Sequence, residues 1–247
     1  QIWIAGSEKS AQPGFNIDSF VLFKLVAPSL SEQEKISEYL NKQTQKIDSL
    51  INKRKKMIEL LQEERMAVIN HAVTKGINPK AKMKDSGVEW IGEIPEHWEI
   101  KRLASLGKFS KGMGISREDL TDEGQPVILY GDIYTKYNIK ATTIVNHISL
   151  ETAKKSVSLT KGTLLFTGSG ETVEDIGKTV VYNGDERVFV GGDIIIFSPE
   201  NQDDLFLAYS LNSSVSQFQK ILYARGEIIV HISASKLKNL LVPVPPI

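Results

Sequence analysis

The chain contains no cysteine, which excludes disulfide staples and any zinc site built on thiolates. Histidine is scarce as well, and His71, His97, His147 and His231 are scattered. His97 has Glu96 and Glu99 close by, but one histidine without a second is not a metal site, and none of the four forms part of a catalytic set. No metal and no cofactor are therefore expected. No apolar run approaches the length of a membrane span, and the N-terminus lacks the basic and apolar regions of a signal peptide. An intracellular, cytoplasmic location without membrane contact is expected. Net charge is also missing, with 30 basic residues against 30 acidic ones. That balance hides an asymmetry: residues 1–82 carry +4 and residues 83–247 carry −4. A uniformly basic footprint, the usual mark of a nucleic-acid binder, is absent, so any DNA surface has to be local.

The most informative absence lies between Ser31 and Thr74, where there is neither proline nor glycine. Such a stretch exceeds an average globular helix several times over. Apolar residues return every three and four positions along it. Leu40, Ile47, Leu61 and Val68 share one heptad position, and Ile36, Leu50 and Met57 share the other. Gln43, Arg54 and Glu64 interrupt this seam with polar groups. Ser31 with Glu34 reads as a capping box, Gly76 as a left-handed C-terminal cap, and Pro79 as a stop. The rod spans roughly 60 Å and cannot bury its stripe against itself. It requires a second long helix.

What flanks the rod is of a different kind. Residues 1–30 read as the tail of a preceding domain, and Phe20, Phe23 and Leu25 align with Leu237, Leu240 and Val242 when Pro28 is set on Pro245. Residues 77–100 form a connector that Trp90 and Trp98 pin to a neighbouring domain. From residue 101 to 247 short segments alternate with turns. Val127–Tyr130, Leu164–Thr167, Thr179–Tyr182, Arg187–Val190 and Ile194–Phe197 predict strands, with a hairpin turn at Asn183-Gly184-Asp185. Ser149 with Thr152 opens a short helix, and residues 203–223 predict helix in two pieces broken near Asn212-Ser213. The fold class expected is α+β, a mixed, curved-sheet domain attached to a long coiled-coil-forming helix.

Read in order, PSLSEQEKI, NKRKKMIELLQEERMAVINHAVTKG, KDSGVEWIGEIPEHWEIKRLASLGKF, LTKGTLLFTGSGETVEDIGKTVVY, VGGDIIIF and LVPVPPI resemble the specificity subunit of type I restriction-modification systems. Each segment is weak alone, and the order makes the resemblance specific over nearly the whole chain. The family carries two target-recognition domains and two long conserved helices. The resemblance here implies one recognition domain, residues 101–247, one spacer or dimerisation helix, residues 31–76, and the tail of another recognition domain. It implies double-stranded DNA as ligand, with methyltransferase subunits, and through them the restriction subunit, as partners. The chain thus resembles either a half-sized specificity subunit, whose homodimer through antiparallel long helices would restore the two-domain arrangement, or a fragment or rearranged version of a full subunit, with Lys53, Lys55 and Lys56 exposed toward the methyltransferase subunits. Cleavage and methylation belong to other subunits of such complexes, so no enzymatic activity is expected here. The residues agree, since no defensible PD…(D/E)xK pattern and no NPPF-like methyltransferase motif is present. The alternative is a coiled-coil interaction protein whose α+β module binds protein.

A DNA surface needs cations for phosphate and planar or forked polar groups for base edges. Lys108, Lys111 and Arg117 lie where Gly107, Gly112 and Gly114 mark a loop, and Arg117 suits a guanine edge, a phosphate or a plain solvated loop. Tyr130, Tyr134, Lys136, Tyr137 and Lys140 interleave aromatic and basic side chains, which suits stacking and phosphate contact. Thr167 and Ser169 stand in the loop FTGSGETVEDIG, which lacks the GK[ST] ending of a P-loop. Arg225 sits in a turn before an apolar strand, as a DNA contact or a structural ion pair.

Overall fold

The computed structural model describes residues 26–170, 172, 175–224, 226 and 230–246. The chain divides into two compact units, one ending at Leu60 and the other running from Leu61. The expected tail of a preceding domain falls almost wholly outside the described residues, as do Phe20, Phe23 and Leu25 of the weak repeat.

A single helix, α1 (Leu30–Lys75), runs for 46 residues. Its cap lies two residues before the expected one. Ser29, not Ser31, closes the first turn: its amide and hydroxyl bond the Glu32 carboxylate at 3.0 and 2.7 Å, and its carbonyl accepts the first helical amides. The sequence holds two overlapping Ser-x-x-Glu pairs, and once Ser29 caps, Ser31 lies inside the turn with no orphan amide to serve. The Ser29 hydrogen bonds hold the Glu32 carboxyl below the usual carboxylate range. In the first unit every side chain from Ser29 to Leu60 except Gln43 is exposed. Leu40, Ile47, Leu50 and Met57 each keep about half of their surface in solvent, and so do Ile51 and Ile58 one position beyond Leu50 and Met57. The apolar band is thus wider than the two-position seam.

In the second unit α1 ends where Gly76 adopts φ +75°, the left-handed cap that the sequence places there. Strands β1 (Met83–Asp85) and β2 (Glu93–Pro95) pair antiparallel, followed by β3 (Glu99–Arg102) and β4 (Gly107–Lys111). Next come β5 (Leu120–Thr121), β6 (Gln125–Ile128), helix α2 (Tyr130–Thr135), β7 (Lys140–Ala141), β8 (Asn146–Ile148), helix α3 (Leu150–Lys154) and β9 (Val157–Leu159). The central strands are β10 (Leu164–Thr167), β11 (Ser169–Gly170), β12 (Thr179–Tyr182), β13 (Val188–Val190) and β14 (Ile194–Pro199). Helices α4 (Asp204–Leu211) and α5 (Ser214–Tyr223), β15 (Val230–His231), helix α6 (Ala234–Leu237) and β16 (Leu241–Val244) complete the unit. The break between α4 and α5 falls at Asn212-Ser213, as the sequence indicates, with Ser213 capping α5.

Two five-stranded sheets organise these elements, in the orders β4-β14-β10-β12-β7 and β5-β8-β6-β13-β9. Each is mixed, because β12–β7 and β13–β6 pair in parallel. The first sheet is covered on both faces. Leu164, Phe166, Ile195 and Phe197 pack with Leu207 and Leu211 of α4 and with Leu240 and Val242, whereas Leu165, Val180, Ile194 and Ile196 meet Val188 and Val190 of the second sheet. Double coverage is why Ile194–Phe197 is an unbroken apolar run. The connector is itself folded: Trp98 is buried edge-on against Phe206 at 5.9 Å, and Trp90 lies 6.1 Å from Phe218.

Three local expectations are corrected here. Asn183-Gly184-Asp185 is not a β-hairpin, because β12 belongs to the first sheet and β13 to the second. The turn carries the chain between sheets, and the Tyr182 hydroxyl fastens it by donating to the Glu186 carbonyl at 2.7 Å. Gly107, Lys108 and Lys111 lie in strand β4 rather than a loop, and glycine is needed because a Cβ at Gly107 would come within 2.2 Å of the Ser198 carbonyl oxygen of β14. Tyr130 starts helix α2 rather than ending a strand, since Asp132 accepts the Leu129 amide at 2.8 Å and turns the chain. Among the described residues no helix is long and apolar enough to cross a membrane.

Candidate functional site

The local sequence around α2 builds one wall of a groove. Asp132 is buried, and besides the Leu129 amide it holds the Asn146 side-chain amide at 2.9 Å and the Lys136 ammonium at 2.9 Å. This network anchors the first turn of α2 and spends Lys136 on an internal ion pair. Tyr130 and Tyr134 then project one turn apart, their rings 5.5 Å apart in an edge arrangement. Both hydroxyls donate to the Ser169 carbonyl, Tyr134 at 2.6 Å, and Tyr134 also reaches the Thr167 hydroxyl at 2.8 Å. Burial pushes the Tyr134 phenol well above the ordinary tyrosine range, so it stays a neutral donor. Arg117 lies over α2, close enough to Gly131 that a Cβ there would stand 3.1 Å from its guanidinium. These residues border a groove of about 820 Å³ that also exposes Lys178, Asp175 and Asp193.

A second groove of about 470 Å³ is lined in part by Gly168 and Ser169, and Asp193 is common to both grooves. Lys111, Lys236, Ser169 and His231 line it. Ser169 and His231 belong to the two-stranded ribbon β11–β15, in which Ser169 stands opposite His231 and Gly170 opposite Val230. The Ser169 hydroxyl and His231 Nδ1 are 2.9 Å apart. Among the described residues, the charged side chains that line the two grooves are Arg117, Lys178, Lys111 and Lys236 with Asp175 and Asp193, a local positive excess in the half of the chain that is acidic overall.

Beneath this surface Lys220 is fully buried. Its ammonium donates to the Gly177 carbonyl at 2.5 Å and lies 5.9 Å from the Phe166 ring centre. Burial pulls its pKa down to about 7. Lys178, held to the Tyr137 carbonyl at 2.8 Å, is likewise lowered by burial.

The structure therefore gathers Arg117, Tyr130 and Tyr134 in one groove and Lys111 and Ser169 in the other. The remaining candidates separate from them. Lys108 is exposed and ion-paired to Glu200 at 2.7 Å, and Lys140 stands exposed on edge strand β7. Tyr137 donates to the Thr143 carbonyl at 3.2 Å, with its phenol pushed up to about 12 by burial. Thr167 is fully buried and orients Tyr134 instead of facing solvent. Arg225 lies outside the described residues.

Residues 95–247, which build both grooves, match the family model for the type I restriction modification DNA specificity domain. The chain belongs to that family. It is 26% identical over 162 residues to a Methanocaldococcus jannaschii protein named for the specificity subunit of the type I restriction enzyme MjaX, covering 64% of this chain and 38% of that protein. Among solved structures, one described as showing complex assembly and conformational transition of the type I R-M system aligns at TM-score 0.66 and 16% identity, over 96% of this chain and 53% of that one. The HsdS subunit from Thermoanaerobacter tengcongensis aligns at TM-score 0.46 and 19% identity, over 99% of this chain and 55% of its own. The chain thus spans about half the length of these solved chains, and less of the curated relative.

The specificity-domain family is the recognition component of type I systems and not one of their catalytic subunits. Among the described residues no three His, Asp or Glu side chains gather to hold a metal ion. Sequence reasoning missed His231, Lys178 and Lys236. For His231 a signal existed, because Val230 and Ile232 alternate with His231 and Ser233, and the first pair is buried while the second is exposed. Lys178 and Lys236 join the grooves through long-range pairing that no local pattern encodes.

Proposed function

We propose that this chain is a DNA-recognition subunit of a type I restriction-modification complex, with residues 101–247 reading one half of a split target. The match of the specificity-domain family to the residues that line both grooves carries this reading. In this reading residues 1–30 end a further recognition domain, residues 77–100 connect, and the helix of residues 31–76 sets the distance between half-sites. Two copies pair their helices antiparallel, which the wide exposed apolar band on α1 supports. The remaining faces, including Lys53, Lys55 and Lys56, take methyltransferase subunits, and the restriction subunit joins through them. The chain directs methylation and cleavage and performs neither.

Co-expression with its methyltransferase subunit in a host free of other methylation, followed by sequencing of modified bases, tests the proposal. The expected result is one bipartite motif. Because two identical domains related by a two-fold axis read it, its halves are inverted repeats. An intact complex that modifies no site, or a single unsplit motif, overturns the reading. The helix as spacer is checked separately by inserting one heptad in the middle of α1, which preserves the seam and adds about 10 Å. The modified half-sites are then expected about three base pairs further apart. An unchanged spacer counts against the helix as ruler.

A further inference from the structure

We propose that His231 is a base-reading residue of this domain and that Ser169 aims its ring; the inference rests on the DNA-recognition reading above. The observation behind it is a chain of contacts that ends on His231 Nδ1 and leaves Nε2 without a partner among the described residues. Tyr130 and Tyr134 both donate to the Ser169 carbonyl, so the position of Ser169 is held from α2. The Ser169 hydroxyl occupies His231 Nδ1 from the facing strand at 2.9 Å. The ribbon is extended one step by the Ile232 amide, which donates to the Gly168 carbonyl at 2.9 Å. Val230 and Ile232 are buried beneath it, so the backbone on both sides of His231 is fixed while its side chain is exposed.

An imidazole on a flexible loop loses its orientation as fast as it finds a partner, whereas one held at Nδ1 presents a single atom in one direction. A two-stranded ribbon is also narrow enough for the DNA major groove. Here the atom presented is Nε2. The Ser169 hydroxyl can donate to Nδ1, which leaves the proton on Nε2, or accept from it, which leaves Nε2 an acceptor; we propose the first arrangement. A donor at that point suits a guanine edge, whose N7 and O6 are both acceptors in the major groove. Lys111 and Lys236, which line the same groove, supply the phosphate contacts that set the ribbon's depth.

Selection from a randomised duplex library with the purified full chain, read by sequencing and by affinity at several salt concentrations, tests this. Wild type is expected to enrich a half-site containing at least one guanine. His231→Ala is expected to lower the preference for guanine at one position about tenfold, with the other positions and the dependence on salt kept. Ser169→Ala is expected to relax that same position less, because the ring remains but loses its guide. Uniform weakening of all sequences by His231→Ala, with a salt slope smaller by about one, would identify a phosphate contact and overturn the inference. An unchanged motif overturns it too. A wild-type chain that enriches no motif and binds without salt dependence fails the DNA-recognition reading itself, and is told apart from the other failures by that result.

Discussion

Raising salt from about 50 to about 200 mM is expected to weaken duplex binding by this chain on the order of a hundredfold. The number follows from the grooves. If Lys111, Arg117, Lys178 and Lys236 each neutralise a phosphate, the logarithm of affinity falls with the logarithm of salt at a slope near −3.6, because each phosphate contact releases condensed counterion. The double variant Lys111→Ala with Arg117→Ala removes one cation from each groove. Its slope should fall by about two, leaving roughly a tenfold loss over the same range. Fluorescence anisotropy of a labelled duplex across a salt series measures both. A protein-binding module attached to a coiled coil, the competing reading of the sequence, gives weak binding with no such slope. The acidic balance of residues 83–247 makes this a demanding test, because a local patch has to overcome the repulsion of the surrounding carboxylates.

The second large effect concerns stability. Folding is expected to strengthen as pH rises from about 7 to about 10, by up to about 1.4 kcal/mol per pH unit from Lys220 alone. Between its lowered folded pKa of about 7 and its ordinary value of 10.5, Lys220 is neutral in the native state and protonated in the unfolded one. The unfolded chain then binds the extra proton, so removing protons favours folding. Below about pH 7 both states are charged and the slope vanishes. Above about pH 10 the raised phenols of Tyr134 and Tyr137 work in the opposite direction, since the unfolded tyrosines ionise first. Lys220→Met keeps the apolar stem and removes the titrating group. Its unfolding free energy, from urea titrations at each pH, should climb less steeply than that of wild type, with the remaining climb coming from Lys178. The variant also leaves the Gly177 carbonyl without its donor, so its level shifts by about 1–3 kcal/mol while the difference in slope reports Lys220. A wild-type profile that is level between pH 7 and 10 would show that Lys220 keeps its proton.

Some elements of the fold were legible because their signals are local. Ser149 with Thr152 opens α3, with the Thr152 amide donating to the Ser149 hydroxyl at 3.1 Å. The break at Asn212-Ser213 was readable from turn formers, and the structure adds that Asn212 spans to β12, bonding both the amide and the carbonyl of Thr179. Asn183-Gly184-Asp185 reads as a hairpin turn for an equally local reason. Two apolar runs joined by Asn-Gly look the same whether the strands pair with each other or part into different sheets. Ser31 reads as the cap because overlapping Ser-x-x-Glu pairs leave the choice to the chain that enters the helix.

By itself, the sequence determined that a stretch lacking proline and glycine forms one long helix with an apolar stripe, that an α+β domain of the specificity family follows it, and that no thiolate chemistry is available. These are properties of composition and of periods a few residues long. Only the tertiary structure decided which polar groups meet. It joins residues 130 and 134 to 169, 169 to 231, and 220 to 177 across strands paired over tens of residues, while it buries Thr167 and diverts Lys108 and Lys136 into ion pairs. Strand partners are chosen by the burial of both sheet faces together, a free energy that no single segment carries.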